Sequence, residues 1–105
     1  MKIVILASAE LDLHDLRAYI VKDFSAATWQ TTFKQIKASI RNLASFPLLG
    51  SVPDELQTLN LTQYRQVLSG QNRIIYEVRQ DTIYIHLVVD SRRDLQSFLL
   101  RRLVR

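Results

Sequence analysis

Residues 64–95 read YRQVLSGQNRIIYEVRQDTIYIHLVVDSRRDL, and this stretch decides the fold. Apolar and β-branched residues gather in three runs, 64–68, 73–79 and 82–89, separated by Ser69-Gly70-Gln71-Asn72 and by Gln80-Asp81. Runs of this length between turn residues read as strands, and connectors this short make them antiparallel neighbours. The result is a three-strand meander that ends in the pair Arg92-Arg93.

A two-residue turn at Gln80-Asp81 sets Arg79 opposite Thr82, Glu77 opposite Tyr84, Ile75 opposite His86 and Arg73 opposite Val88. Alternation then gives a core face of Ile74, Tyr76, Val78, Ile83, Ile85, Leu87 and Val89. The other face carries Arg73, Ile75, Glu77, Tyr84, His86 and Val88, and this polar face is the expected functional surface. At the first turn, a two-residue loop at Gly70-Gln71 would send Arg65 to the core as an unpaired charge. A three-residue loop, placing Arg65 opposite Glu77 on the polar face, is therefore the expectation.

Upstream, residues 2–6 (KIVIL) read as a short buried strand, and Ser8 is placed to cap the helix that follows. Over residues 9–24, Leu13, Leu16, Ile20 and Phe24 recur every three or four positions, which is an amphipathic helix. Ser25 caps a second one, in which Trp29, Phe33, Ile36, Ile40 and Leu43 form the apolar stripe and Lys34, Lys37 and Arg41 a solvated one. The short link makes the two helices an antiparallel hairpin. Pro47, Gly50 and Pro53 then break the pattern, with one helical turn near residues 54–59. After Asp90 or Ser91 as a cap, Leu95, Phe98, Leu99 and Leu103 mark a short C-terminal helix. The expected fold is α+β: an N-terminal strand, then an antiparallel helix hairpin packed on a mainly antiparallel sheet (β-α-α-β-β-β), then the short helix. It forms a single domain over residues 1–105.

The 105 residues include no cysteine, which excludes a disulfide framework, a thiol nucleophile and a thiolate metal site. His14 and His86 stand far apart, so no metal site is expected, and nothing calls for a cofactor. No apolar run approaches the roughly 18 residues of a membrane span, and a cytoplasmic protein is expected. Fourteen Lys and Arg against ten Asp and Glu give a net charge of +4. The positive charge favours contact with nucleic acid or an acidic protein, and five of the arginines fall in residues 91–105 beside a single acidic residue, which concentrates positive potential at the C-terminal end.

The order of these elements resembles the ParE/RelE superfamily, the toxins of type II toxin–antitoxin modules. The resemblance rests on Asn72-Arg73-Ile74-Ile75-Tyr76-Glu77-Val78 as the central strand and on Ser91-Arg92-Arg93-Asp94-Leu95 as the closing motif. Ala9-Glu10-Leu11-Asp12-Leu13 with Tyr19-Ile20 adds to it. It implies a cognate antitoxin with an acidic, partly disordered segment that folds across the helices and the sheet edge. It also implies one of two actions, because ParE-like members poison DNA gyrase and RelE-like members cut messenger RNA on the ribosome.

Cutting RNA through its 2′-hydroxyl needs a base, an acid and cations around the phosphate. Glu77 or His86 could move protons, and Arg65, Arg73, Arg92 and Arg93 could supply charge. Against this, residues 50–63 hold no lysine or arginine, and Ser97 and Phe98 stand where RelE-like enzymes often carry a tyrosine. The arginine-pair ending is more similar to the ParE branch. The expectation is a gyrase inhibitor with no catalytic residue, whose target-binding candidates are Arg65, Arg73, Tyr84, His86, Arg92, Arg93, Arg101 and Arg102. The alternatives are an mRNA endoribonuclease using Arg65, Arg73, His86, Arg92 and Arg93, and a non-toxic relic that only binds antitoxin. These candidates also have ordinary roles: Glu77 paired with Arg65 or Arg79, His86 a half-buried surface histidine, Arg73 a strand residue paired to Glu77 or to the chain terminus, Arg92 and Arg93 a solvated turn.

Overall fold

The computed structural model describes residues 1–92 and 94–103. Strand β1 (Lys2–Ile5) leads directly into helix α1 (Ala7–Asp23), and α2 (Ala26–Leu43) follows. After the short α3 (Asp54–Thr58) come β2 (Tyr64–Ser69), β3 (Asn72–Arg79) and β4 (Thr82–Asp90), then α4 (Leu95–Leu103). The strands form one sheet in the order β1-β4-β3-β2, with β1 parallel to β4 and the other pairs antiparallel. The expected α+β architecture is the one observed.

Ser25 caps α2 as expected, its hydroxyl accepting the Thr28 N–H at 3.0 Å. Ser8 does not cap α1, which starts at Ala7, and its Oγ instead donates to the His86 carbonyl. Ile20 is buried and Leu13 and Leu16 pack against the core, but Phe24, at the helix end, is 63% exposed. α2 buries Trp29, Ile36, Ile40 and Leu43. α4 begins later than the expected cap: the Asp94 carboxylate accepts from Ser97 N–H and Oγ–H at 3.5 and 3.1 Å.

The register holds from Arg79↔Thr82 to Tyr76↔Ile85 and then slips by one residue. Ile75 pairs with Leu87 and Arg73 with Val89, so His86 is the extra residue of a β-bulge. Beyond the bulge the faces exchange. Ile74, Tyr76, Ile83, Ile85 and Val88 pack with the helix hairpin, whereas Leu87 and Val89 turn to the opposite side. Strict alternation fails here because Leu87, Val88 and Val89 are all apolar, so the composition leaves the slip unmarked.

That opposite side is not an open polar face. Ile75, Leu87 and Val89 form a second apolar cluster with Leu56 from α3, Tyr64 from β2 and Leu99 from α4. The β2–β3 connection is the two-residue turn, with Ser69 paired to Asn72 and Gly70 at φ +59° in the first central position. Arg65 consequently lies opposite Tyr76, not Glu77. Its charge is met by the Gly50 carbonyl, 2.6 Å from Nη1, which removes the cost that argued against this turn.

Candidate functional site

Apart from Arg65, held by the Gly50 carbonyl, the candidate residues separate into three environments. Arg73 is a clamp. Its Nη1 and Nη2 donate to the two Glu55 carboxylate oxygens at 2.8 and 3.0 Å, and Nε donates to Gln66 Oε1 at 2.6 Å. Its side chain is 12% exposed, so the residue expected on an open face ties β3 to α3 and β2 instead. The Arg73 hydrogen bond holds the Glu55 carboxyl below its ordinary range against the opposing effect of burial.

The second environment lies where β3 and β4 meet near their turn. Glu77 Oε1 accepts from Arg79 Nη2 at 2.9 Å and lies 3.0 Å from His86 Nε2. Tyr64 meets the His86 ring edge-to-face at 5.1 Å, and the Arg79 guanidinium stands 4.9 Å from the centre of the half-buried Tyr84 ring. Burial raises the Glu77 carboxyl, but the hydrogen bonds and charges of Arg79 and His86 more than offset it and leave it below the ordinary range. His86 lies on the Glu77 side, as the regular register also has it, and the bulge turns Leu87 to that same side, where it fills the second apolar cluster. Burial, with the neighbouring Glu77 charge, raises the Tyr64 hydroxyl above its ordinary range.

The third environment surrounds the far end of β4. Exposed Arg92 folds back on Asp90, its backbone N–H and Nε donating to Oδ1 at 2.8 and 3.0 Å and Nη2 to Oδ2 at 2.7 Å. Arg102 is directed inward to Asp12, and Arg101 is exposed, with its guanidinium 5.9 Å from the Phe98 ring centre. Arg93 lies outside the described residues. Between α1, β4 and α4 a groove of about 550 Å³ is lined by Asp12, Asp15, Leu16, Tyr19, Asp90, Arg92 and Phe98 among others.

A separate groove of about 460 Å³ lies on the helix hairpin. Ile5, Leu13, Trp29, Phe33, Ile36 and Ile40 make its apolar lining, and Glu10, His14, Arg17 and Lys37 its charged and polar margin. Trp29 and Phe33 stack at 5.1 Å, with Lys37 Nζ 4.7 Å from the Phe33 ring centre. Beside it, β1 leaves one strand edge without a neighbour in the sheet order.

The family model described as ParE toxin of type II toxin-antitoxin system, parDE, matches residues 3–95. The chain belongs to the ParE toxin family. A chain of the chromosomal ParDE toxin–antitoxin system from P. aeruginosa shares its fold, with a TM-score of 0.72 over 86% of this chain and 95% of that one, at 13% identity. No curated protein sequence matches significantly.

In this ParE-family chain the expected candidates do not converge on one point. Arg65 serves Gly50, Arg73 serves Glu55, and His86 and Tyr84 belong to the Glu77 cluster, while Arg92, Arg101 and Arg102 gather at the C-terminal end. Sequence reading overlooked Asp12 and Glu55, the carboxylates that receive two of these arginines. Their only signal was acidity within amphipathic segments, shared with many solvated residues. Among the described residues no group of His, Asp and Glu is placed to hold a metal ion, and no helix is long and apolar enough to cross a membrane.

Proposed function

We propose that this type II toxin inhibits DNA gyrase by binding, in the cytoplasm, and that a cognate antitoxin neutralises it. The observation that carries the choice of binding over cleavage is the Arg73 clamp. With both terminal nitrogens on Glu55 and Nε on Gln66, Arg73 has no fork to offer a phosphate. Glu77 is likewise engaged by two donors on one oxygen and held toward its ionised form. An RNA-cleaving centre requires cations and a free proton acceptor around one reacting phosphate, and these residues are occupied in separate networks. The arginines at the C-terminal end are the contact surface of this reading, with Arg92 and Arg101 exposed there.

The antitoxin belongs on the helix hairpin. Its groove offers an apolar floor for an amphipathic helix, and Arg17 and Lys37 at the margin favour acidic residues beside the apolar ones. The open edge of β1 offers backbone groups to an extended segment. The deciding experiment is a supercoiling assay with purified gyrase beside a translation reaction containing ribosomes and messenger RNA. Gyrase inhibition with intact message is the expected result. Message cut only in the presence of ribosomes would replace this reading by the RelE-like one, and no effect in either would leave antitoxin binding alone.

A further inference from the structure

α4 is nine residues long, too short to persist as a helix without tertiary support. Leu99 supplies part of that support from the second apolar cluster, with Phe98 packed beside it. The polar support is a pair that joins the last turn of α4 to the first turns of α1. Arg102 Nη2 donates to Asp12 Oδ2 at 2.5 Å and to the Ser8 carbonyl at 3.2 Å, and Nη1 lies 3.5 Å from both Asp12 oxygens. Asp12 Oδ2 also accepts the Val88 N–H at 3.1 Å, so one carboxylate joins α1, β4 and α4. The two side chains are only 19% and 11% exposed, and the Arg102 guanidinium lies 5.2 Å from the Phe98 ring centre. Beside this pair the groove lined by Asp15, Tyr19 and Phe98 separates the two helices, so direct packing along α1 does not set the place of α4.

We infer that Asp12 is the positioning residue of the arginine-bearing C-terminal segment, and that Arg102 is its anchor rather than a contact to the target. The inference rests on the reading that this segment meets gyrase. Leu99 and Phe98 pack α4 on the second apolar cluster, beside α3, and the pair with Asp12 adds the polar tie that joins its last turn to α1. Arg92 and Arg101, on either side of the first turns of α4, then present their charge in one fixed arrangement. Preorganisation of this kind lowers the cost of binding without adding a contact.

The test compares the full-length wild type with Asp12→Asn, Arg102→Gln and Arg102→Lys by hydrogen exchange and by the supercoiling assay. Asn at position 12 retains one oxygen for the Val88 N–H, removes the charge and replaces the other oxygen by an NH2 donor that cannot accept from Arg102. In Asp12→Asn and Arg102→Gln, α4 amides should exchange about tenfold faster, a typical consequence of losing a charged hydrogen bond. Exchange in α2 and β3 should stay at wild-type values, Arg102→Lys should fall closer to wild type, and inhibition should weaken as α4 loosens. Unchanged α4 exchange in Asp12→Asn, or acceleration spread evenly over α2 and β3, would overturn the inference. So would a loosened α4 with undiminished inhibition. If the wild type itself leaves gyrase untouched, the proposed target is lost, and the exchange pattern alone decides the anchoring role of Asp12.

Discussion

Arg73 and Glu55 form a forked pair across 18 residues of sequence, with Nη1 donating to Oε2 and Nη2 to Oε1. The pair holds α3 over the second sheet face, where Leu56 joins Ile75, Leu87 and Leu99. A cation in the motif most similar to the family is therefore an internal brace. Breaking a largely buried pair leaves one charge without its partner.

Arg73→Ala is accordingly expected to destabilise the fold by about 2 kcal/mol, and Glu55→Ala by somewhat less because Glu55 is the more exposed partner. Urea unfolding of both single variants and the double variant should give a coupling energy of about 1–2 kcal/mol. A coupling near zero would show that the fork contributes nothing. Reduced toxicity of Arg73→Ala should follow its reduced stability, unlike the exposed-contact role expected from sequence.

Much of this architecture was legible because periodicity reports burial. The apolar spacing of α2 and the turn residues Gly70 and Gln80-Asp81 located the hairpin and the meander correctly. The bulge was not legible, since Leu87-Val88-Val89 satisfies either register, and only the pairing of Ile75 with Leu87 and of Arg73 with Val89 reveals it. The β2–β3 turn was misread for a different reason: the carbonyl that receives Arg65 belongs to Gly50, in a connection without periodicity. Of the candidate site, the arginine-rich end was legible as composition. Which arginines bind carboxylates inside the fold depends on long-range partners, such as Asp12 for Arg102, that spacing does not encode.

Gly50 marks where that connection is fixed. Its N–H donates to Tyr76 Oη at 2.9 Å, and Tyr76 Oη–H donates to the Pro47 carbonyl at 2.8 Å. A Cβ at position 50 would lie 2.3 Å from the Gln66 carbonyl oxygen, a backbone atom that cannot swing aside. Gly50→Ala should cost about 1–3 kcal/mol by overpacking. Tyr76→Phe, which removes both hydroxyl bonds in a buried site, should cost about 1–2 kcal/mol. Chemical denaturation measures both, and a Gly50→Ala protein as stable as wild type would place the Gly50–Gln66 approach in error.

The pH dependence of stability contains opposing contributions. Glu55 and Glu77 titrate below their ordinary value of 4.5 in the fold, so the stability they add is present above that value and lost as pH falls through their folded values. Asp12 behaves oppositely. Burial, only partly countered by Arg102 and the Val88 N–H, raises it above 3.8, so the folded state binds its proton more tightly and its contribution declines as pH rises through that window. Asp12→Asn removes the opposing contribution. Its loss of stability between about pH 5 and pH 3 should be steeper than that of the wild type. A shallower loss in Asp12→Asn would reverse the sign assigned to Asp12.

The helix-hairpin groove gives the last prediction, and it separates antitoxin binding from toxicity. Lys37 reaches over Phe33 at the groove margin, and Arg17 stands across it on α1. Both are exposed and away from the apolar core, so reversing them to Glu should leave folding unaffected while placing like charge against an acidic partner. The Arg17→Glu, Lys37→Glu double variant should bind the cognate antitoxin about tenfold or more weakly, with the difference shrinking as salt is raised. Its inhibition of gyrase should equal that of the wild type, because the arginines assigned to the target lie on a different face of α1, beside β4 and α4. Calorimetric titration with the antitoxin and the supercoiling assay read the two effects separately. Loss of inhibition with antitoxin affinity intact would exchange the two surfaces, placing the target on the helix hairpin and the partner at the C-terminal end.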